Sequence, residues 1–436
     1  MTTHPAYKRI GVFGHYGIGN LGDEAIVAAV IASLRRRLPQ TEIVCFSMNP
    51  ADSAERYGVK AFPVRRSAEK VAPPTETKAP ASVEEPPSSG GLRALVKKIP
   101  VIYPLLRALI RLPDHVINLA AEIAFLNRSK ARLRGTDLLL IAGSGPVFDN
   151  FGGPWAFPYT LFKWVRLCRS VGTKAVFLSV GAGPIKHPWS RRLLRRALNG
   201  AAFHSFRDEY SRDLALSLGL KKPAPVAPDL ACGLDLGDRL ARDLPKAGLV
   251  VGLNPLPYAD RRYWPENDDT VYRDYVNKLA VFTLWLIQRG CRVVVFNTKV
   301  RADSLVVDDI LSRIKEHAGN VPDAIETPKP HRLGDLLDVI AGCDLIVAGR
   351  FHGVLLSCLL RRPTVGLAYH PKTVAMMNYL GVGDYSLDIA TFRPEELQTA
   401  FQRLETEAAG TRTALEPGIT AAQAALEAQY DEILQL

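Results

Sequence analysis

A short apolar strand, a loop with four glycines and a helix follow one another at the start of the chain. The strand is predicted at 10–13 and the helix at about 23–38. Glycines let a ligand approach the backbone closely, and the free N–H groups at a helix N-terminus favour anions or sugar hydroxyls. The segment therefore predicts an α/β fold with a ligand-binding loop. The loop glycines are Gly14, Gly17, Gly19 and Gly22.

The surroundings of these glycines do not fit the two common nucleotide-binding signatures. Gly17, Gly19 and Gly22 satisfy G-x-G-x-x-G, but the second predicted strand, at 42–47, does not end in an acidic residue. No Lys-Ser or Lys-Thr pair follows the glycines, so the loop is not a P-loop. The rest of the chain has to identify the ligand.

Apolar strands alternate with helices along most of the chain, in two series separated by a polar connector near 235–246. Such alternation predicts parallel, doubly wound sheets, and 436 residues suit two domains. We predict an α/β protein of two Rossmann-like domains in a GT-B-like arrangement, with the active site in the interdomain cleft. The predicted boundaries are 1–238 for the N-terminal domain, 239–395 for the C-terminal, donor-binding domain and 396–436 for a helical tail.

Two unusual segments interrupt the N-terminal domain. Residues 67–91 are rich in Pro, Ser and Glu, which predicts a disordered insertion. Residues 92–134 combine nine Lys or Arg with only two acidic residues among spaced apolar side chains, which predicts a basic amphipathic helical segment. This segment either binds an anionic membrane surface or packs on its own domain, and both interpretations stay open.

The net charge of +11 indicates an anionic partner. Nucleic acid is not predicted, because no helix-turn-helix, zinc finger or aromatic-basic strand motif accompanies the charge. The polar N-terminus leads directly into a core strand, and the cysteines are scattered without a C-x-x-C pair, so we expect a protein of the reducing cytoplasm. The six cysteines, expected to be buried free thiols, are Cys45, Cys168, Cys232, Cys291, Cys343 and Cys358.

Cationic side chains follow two neighbouring strands of the second series. An apolar strand ends at Gly349, and Arg350, His352 and Gly353 lie between it and the next predicted helix. Lys372 follows the next strand. An anion at this position would be favoured by the helix dipole and by these side chains. The pattern predicts a pocket for a small phosphorylated or carboxylated donor.

The first series offers a second wall for such a pocket. Gly143 and Ser144 form another loop at a strand end, and Arg207 lies at a strand end before a helix. Asp229 is expected to cap the turn that follows it, and His15, in the first glycine loop, could contact a substrate. No group of residues has metal-ligand spacing, and no G-x-S-x-G elbow indicates acyl transfer.

These motifs resemble the polysaccharide pyruvyl transferase family, in particular the exopolysaccharide type associated with colanic-acid and amylovoran synthesis. The resemblance covers roughly residues 8 to 390, in family order. It departs from the family in the 142–146 loop and at Phe351, where Leu is usual. The matching residues are Gly14, Gly17, Gly19, Asn20, Gly22, Asp23 and Ala25, then Gly143, Ser144, Phe148 and Asp149, then Arg207, Asp208, Ser211 and Asp229, and finally Gly349, Arg350, His352, Pro363, Tyr369 and Lys372.

The resemblance implies phosphoenolpyruvate as donor and a cyclic pyruvate ketal on a sugar as product, with no further cofactor. We expect His352 and Arg350 to be the catalytic residues, with His352 acting as acid/base or as a hydrogen-bond donor to phosphate. Arg350 and Lys372 would clamp phosphate and carboxylate, supported by Arg207 across the cleft. The further donor-binding positions expected are Gly349 and Gly353, and the acceptor-binding ones are Gly17, Gly19, Asn20, Asp23, Gly143 and Ser144.

The acceptor implied is a polysaccharide or a lipid-linked oligosaccharide on the cytoplasmic leaflet, which places the protein at the inner face of the plasma membrane. Two alternatives remain. A GT-B glycosyltransferase that uses a nucleotide sugar could bind a diphosphate with the same basic residues. A non-catalytic sugar- or anion-binding module would keep the pocket without turnover.

Overall fold

The computed structural model describes residues 7–67, 102–241, 248–264 and 266–436, with side chains left out for 102–117 and 241. In these described residues the chain forms two six-stranded sheets in which all strands are parallel. In chain order, the strands of the first sheet are β1 Arg9–Phe13, β2 Glu42–Ser47, β3 Lys60–Pro63, β4 Leu138–Ala142, β5 Lys174–Val180 and β6 Phe203–Phe206. Their spatial order is β3-β2-β1-β4-β5-β6.

The second sheet repeats this topology. Its spatial order is β12-β11-β10-β7-β8-β9, so each sheet starts with its first strand near the centre and adds strands on one side and then on the other. This is the strand order of a doubly wound nucleotide-binding fold. In chain order, its strands are β7 Val250–Asn254, β8 Arg292–Val295, β9 Ile325–Glu326, β10 Leu345–Ala348, β11 Thr364–Ala368 and β12 Ser386–Asp388.

Helices cover both sheets and bury the central strands. The central strands β4, β7, β10 and β11 are buried along their whole length, which is why they are apolar at consecutive positions rather than at alternate ones. In chain order, the helices are α1 Leu21–Arg37, α2 Pro50–Tyr57, α3 Ile102–Leu133, α4 Phe157–Val171, α5 Pro188–Gly200, α6 Glu209–Ser217, α7 Asp269–Gln288, α8 Val300–Ala318, α9 Leu333–Ala341, α10 Phe351–Leu359, α11 Pro371–Tyr379, α12 Pro394–Thr406 and α13 Ala408–Ile433.

The fold class is confirmed: two parallel α/β sheets lie in one chain, and side chains of both domains meet at the carboxyl ends of the strands. The domain boundaries stay a prediction, although the first sheet is complete at β6 and the second begins at β7. The last helix, α13, crosses back from the second domain to the first, where its Glu427 pairs with Arg36 at 2.6 Å.

The basic segment is helical, as predicted, over Ile102–Leu133 of α3. In the part of α3 whose side chains are described, Phe125 and Leu133 are buried in the core of the first domain. That half therefore packs on its own domain, while membrane binding by 92–134 stays a prediction. The predicted disordered insertion at 67–91 lies outside the described residues except for Ser67.

No helix in the described part of the chain is long and apolar enough to cross a bilayer. All six cysteines are buried free thiols, as expected from their apolar surroundings. Burial raises the pKa of the Cys45 thiol to about 12, so this group is not a nucleophile near neutral pH.

Candidate active site

Two helix N-termini, one from each domain, abut at the site. Arg350 is the N-cap of α10, and His352 lies in the first turn of that helix. The sequence predicted this helix to begin only after Gly353, but the N–H of Val354 already donates to the carbonyl of Arg350 at 2.9 Å. From the other domain, Gly22 in the first turn of α1 touches the His352 ring, since a Cβ there would lie 2.3 Å from Nδ1.

Asp229 joins the two domains at the same point. Its Oδ1 accepts the N–H of Ala231 at 3.0 Å, which confirms the predicted cap of the turn Leu230–Gly233. Its Oδ2 lies 3.3 Å from Nη1 of Arg207 and 3.8 Å from Nε2 of His352. Burial raises the pKa of Asp229, but His352 and Arg207 outweigh it and lower the value to about 2. Asp229 is therefore a buried anion between an arginine and a histidine.

Two nitrogen atoms in this cluster are buried and have no hydrogen-bond partner among the described residues. They are Nε of Arg207 and Nε2 of His352. The distance of 3.8 Å from His352 to Asp229 is too long for a hydrogen bond. Nε of Arg207 lies 3.6 Å from Oδ2 of Asp208, so both nitrogens face carboxylates beyond hydrogen-bond distance, and a bound ligand is one source of the hydrogen-bond partners that they lack.

Arg350 is committed to an ion pair within its own domain. Its Nε donates to Oδ1 of Asp303 at 2.8 Å, and Nη2 contacts the same oxygen. Asp303 is fully buried and also accepts the backbone N–H groups of Thr298 at 3.0 Å and Lys299 at 2.7 Å. Any ligand anion at Arg350 would share this guanidinium with a carboxylate.

A tyrosine connects Arg350 to a second cation. The hydroxyl of Tyr263 accepts from Nη1 of Arg350 at 3.4 Å and from Nζ of Lys299 at 3.1 Å. Burial raises the pKa of Tyr263, but the two cations outweigh it and bring the value below the ordinary range. Lys299 follows β8 at the carboxyl edge of the sheet, next to the site.

Two cations from different domains meet on one aromatic ring. Cζ of Arg207 lies 4.9 Å from the centroid of the Phe351 ring, and Nζ of Lys372 lies 5.7 Å from it. Lys372 also lies over the Tyr369 ring at 4.8 Å. Burial raises the pKa of Tyr369, yet Lys372 and the arginines lower it overall. Arg207, His352 and Lys372, all predicted site residues, thus lie around Phe351, the position where this chain departs from the usual Leu.

The predicted acceptor loop contacts the second domain. The N–H of Val300 donates to the carbonyl of Gly19 at 2.9 Å, and Asn20 pairs with Lys299 in an antiparallel bridge. The amide of Asn20 donates to Asp23 at 2.7 Å. Gly17 has φ of +80°, and a Cβ there would lie 2.7 Å from Cβ of Asn49. Glycine is therefore needed at position 17 for the backbone conformation and for the close contact with Asn49. Gly19 and Asn20, in contrast, lie half-buried at the domain junction.

The other predicted glycines pack against protein atoms. Gly143, with φ of +53°, is buried and donates its N–H to the carbonyl of Leu178 at 2.8 Å. Gly349 donates its N–H to the carbonyl of Asn254 at 2.8 Å, and a Cβ on Gly353 would lie 2.0 Å from Oδ1 of Asn254. At these positions it is other atoms of the protein, rather than a ligand, that pack closely against the glycine backbone. The binding roles predicted for these positions, and for the half-buried Ser144, stay predictions.

His15 lies apart from this cluster, beside the ring of Phe157 at a centroid distance of 3.8 Å. Burial, Arg65 and Lys299 lower the pKa of His15 to about 3, so it is neutral near pH 7. In the described part of the chain, no three His, Cys, Asp or Glu side chains are grouped so as to hold a metal ion.

Similarity to known proteins identifies the family of this chain. The model of the family described as polysaccharide pyruvyl transferase matches residues 20–371. This chain belongs to the polysaccharide pyruvyl transferase family. A curated relative, the amylovoran biosynthesis protein AmsJ from Erwinia amylovora, is 22% identical over 400 residues, which cover 87% of this chain and 88% of that protein. The family and this relative support a transferase with a role in polysaccharide pyruvylation.

Solved structures agree on the fold. A glycosyltransferase from Rickettsia africae superposes with a TM-score of 0.55 at 8% identity, covering 98% of this chain and 99% of its own. The UDP-GlcNAc 2-epimerase from Neisseria meningitidis gives 0.53 at 12% identity, covering 98% and 100%. At these identities the likeness concerns the fold alone, and it confirms the GT-B-like arrangement.

Three residues next to the candidate active site were not predicted from the sequence. Lys299 carried a detectable signal, because it follows an apolar strand just as Arg350 does. Asp303 lies inside helix α8 and Tyr263 in an irregular segment, so neither has a pattern that separates it from ordinary surface residues. Their proximity to Arg350 depends on tertiary structure.

Proposed function

We propose that this transferase moves the pyruvyl group of phosphoenolpyruvate to a sugar of an exopolysaccharide or of its lipid-linked repeat unit. The product is a cyclic ketal, and phosphate is released. The observation that carries the proposal is the pair of buried nitrogens on Arg207 and His352 that have no hydrogen-bond partner among the described residues. They come from different domains and lie beside Lys372. A small dianionic donor supplies the acceptor atoms that these groups lack.

The reaction requires a proton donor and cationic groups that hold the phosphate and carboxylate of the donor. A proton adds to the methylene carbon of the enol, the neighbouring carbon becomes oxocarbenium-like, and one sugar hydroxyl attacks it and loses its own proton. The C–O bond to phosphate then breaks, and a second hydroxyl closes the ketal as its proton leaves. His352 is assigned the proton transfers, with the Asp229 carboxylate 3.8 Å from its Nε2.

Arg207 and Lys372 are assigned to the phosphate and carboxylate of the donor, since Nε of Arg207 has no hydrogen-bond partner among the described residues and Lys372 lies beside the same Phe351 ring. Arg350 remains a candidate for the same clamp. Its pairing with Asp303 and Tyr263 also gives it a positioning role, because it fixes the start of α10 on which His352 lies.

The acceptor is assigned to the wall formed by the first domain. Gly19 and Asn20 are half-buried at the junction, Asp23 follows them, and Ser144 lies at the neighbouring strand end. Gly17 and Gly143 shape the two loops behind that wall. If the repeat unit is lipid-linked, the enzyme works at the inner face of the plasma membrane, where the basic segment 92–134 has anionic lipid beside it.

The test is a transfer assay with purified protein, phosphoenolpyruvate and the lipid-linked repeat unit, read by mass spectrometry for the pyruvyl gain and by phosphate release. Arg207→Met and His352→Asn should each lower the rate at least about a hundredfold, as expected for loss of a charge clamp or a proton-transfer group. Matched controls are Arg212→Met and His317→Asn, both at exposed sites in ordinary surface contacts.

Normal ketal formation by either site variant would contradict the assignment. Hydrolysis of a nucleotide sugar, without phosphate release from phosphoenolpyruvate, would favour a glycosyltransferase instead. Binding of phosphoenolpyruvate with neither product would leave a non-catalytic binding module.

A further inference from the structure

Helix α5, Pro188–Gly200, presents an unusual arginine cluster to solvent. The helix contains no acidic residue, and its buried side is formed by Leu193, Leu194, Ala197 and Leu198. None of its exposed arginines forms an ion pair with a carboxylate of the described residues; Arg191 donates to a backbone carbonyl and Arg192 lies over an aromatic ring. The exposed arginines are Arg191, Arg192, Arg195 and Arg196.

Large aromatic side chains are exposed next to these arginines. Trp189, in the first turn of α5, is 52% exposed, and its ring lies 5.3 Å from Cζ of Arg192. Trp155 is 70% exposed and belongs to the short helical turn Gly153–Trp155, which packs against α5. Exposed tryptophans beside a cationic helix combine the two features that hold proteins at the surface of a bilayer.

The two tryptophans are fixed relative to each other by a buried carboxylate. Asp149, which follows β4, accepts the backbone N–H groups of Lys186 at 3.0 Å and His187 at 2.8 Å, just before α5. Burial raises the pKa of Asp149, but these bonds outweigh it and lower the value. The loop that carries Trp155 is thereby tied to the start of the helix that carries Trp189. The relative positions of the two tryptophans are therefore fixed by hydrogen bonds within the fold.

This surface lies at the same edge of the sheet as the candidate active site. Trp155 follows β4 and Trp189 follows β5, just as the first glycine loop follows β1 and Arg207 follows β6. All of these strands are parallel, so their carboxyl ends share one edge. A bilayer on this side would lie next to the interdomain site.

We propose that Trp155, Trp189 and the four arginines of α5, together the Arg-Trp surface, dock the protein on an anionic lipid bilayer. The inference rests on the proposed function in one respect, because a membrane-bound enzyme can reach a lipid-linked acceptor. The surface differs from the segment 92–134, whose described half buries Phe125 and Leu133 in the domain. Charge complementarity selects the occupant: four arginines without a carboxylate partner in the described structure match anionic phospholipid headgroups, and the tryptophan rings enter the interface.

The experiment measures sedimentation of the full chain with vesicles of phosphatidylcholine, with and without phosphatidylglycerol, in the absence of any substrate. The wild type should bind only the anionic vesicles, and less as salt rises. Arg192→Glu together with Arg196→Glu should lower the partition coefficient more than about twenty-five-fold, since each basic residue contributes roughly fivefold. Trp155→Ala with Trp189→Ala should weaken binding while preserving the salt dependence.

The matched control reverses the same number of charges elsewhere. Arg273→Glu with Arg412→Glu changes two exposed arginines on α7 and α13 that have no ion pair in the described structure, and it should keep at least half of the wild-type binding. Equal binding by the α5 variant and the wild type would overturn the proposal. Equal loss in the control, or binding to RNA and heparin without binding to anionic vesicles, would also overturn it.

Activity separates this proposal from the proposed function. The α5 variant should retain wild-type pyruvyl transfer to a water-soluble oligosaccharide acceptor and lose it with the lipid-linked acceptor in vesicles. Absence of transfer to every acceptor, with vesicle binding intact, would contradict the proposed function and leave the docking surface standing. Circular dichroism and thermal unfolding show whether each variant is folded.

Discussion

At the scale of single residues, the contact between Gly22 and His352 is a close approach between the two domains. A Cβ on Gly22 would lie 2.3 to 2.5 Å from three atoms of His352, although Gly22 has an ordinary helical backbone. Glycine is therefore required here for space rather than for a positive φ. The last glycine of the opening loop, Gly22, thus leaves space for the His352 ring of the other domain.

Replacing Gly22 with Ala should displace the imidazole and lower kcat at least about tenfold, because a shift of about an ångström in a reacting group carries a large kinetic cost. The change should affect KM for the donor less, since Arg207 and Lys372 are left in place. Steady-state kinetics measures both constants.

Gly410→Ala is the matched control, because a Cβ at this helical position meets no atom within 4 Å. It should leave kcat unchanged and add up to about 1 kcal/mol to the free energy of unfolding. A Gly22→Ala enzyme with wild-type kcat would contradict the packing of Gly22 on the ring.

At the scale of elements, strands and helices with strongly apolar cores were predicted from the sequence, and short edge elements were not. Strands were predicted at 10–13 and 42–47, and the structure has β1 at Arg9–Phe13 and β2 at Glu42–Ser47. Strand β3, Lys60–Pro63, was missed because it is a four-residue edge strand that is mostly outside the core and ends in proline. Edge pairing depends on the neighbouring strand, which a local pattern does not reveal.

A histidine ties two of these elements together and makes stability depend on pH. In β6, the ring of His204 stacks on Phe177 of β5 at 5.7 Å, and its Nε2 lies 2.5 Å from the carbonyl of Leu198 in α5. Burial and Lys222 lower the pKa of His204 to about 4, although the bond to Leu198 opposes this change. The histidine is therefore neutral in the fold at pH values where the unfolded chain carries it protonated.

Between pH 6.5 and 4 the unfolded chain binds a proton at His204 that the folded protein does not. The free energy of unfolding should therefore fall as the pH falls through this window, by up to about 3 kcal/mol for this group. His204→Gln should make the dependence shallower by that amount, measured by urea unfolding at a series of pH values.

The exposed His317 provides the control, since His317→Gln should keep the wild-type slope. An unchanged slope in His204→Gln would contradict the assignment of a buried neutral imidazole.

At the scale of the whole molecule, the chain joins its domains twice. The connection between β6 and β7 leads into the second domain, and α13 returns to the first. In α13, Tyr430 is 3% exposed, with Cζ of Arg37 over its ring at 4.8 Å. Glu427, whose side chain is 53% exposed, contacts the exposed Arg36 and the largely buried Arg37 beside this anchor. Apolar burial should dominate the anchoring, because exposed ion pairs contribute little.

Tyr430→Ala should lower the free energy of unfolding by about 3 kcal/mol and expose α13 to limited proteolysis, since it empties a buried aromatic site. Glu427→Ala should cost less than about 1 kcal/mol and leave the proteolysis pattern unchanged. Chemical denaturation compares the two. A larger loss in Glu427→Ala than in Tyr430→Ala would show that charge holds the helix.

The sequence by itself determined the class of fold and pointed to the side chains to which we assign the chemistry. Alternation of apolar strands and helices fixes a parallel α/β architecture, and Arg207, His352 and Lys372 all lie where strands end. These are local properties: the period of hydrophobic residues and the position of a charge after a strand. The strand, glycine loop and helix at the start of the chain were predicted from the sequence because they too depend on local patterns.

Tertiary structure alone decided which of these groups pair with each other and which are left without a hydrogen-bond partner among the described residues. Asp303 neutralises Arg350 from a helix 47 residues away, and Asp229 lies between Arg207 and His352 of different domains. Burial and ion pairing depend on the whole packed environment, because a charge removed from water is stabilised only by the partners that the fold brings to it. No local pattern records those partners.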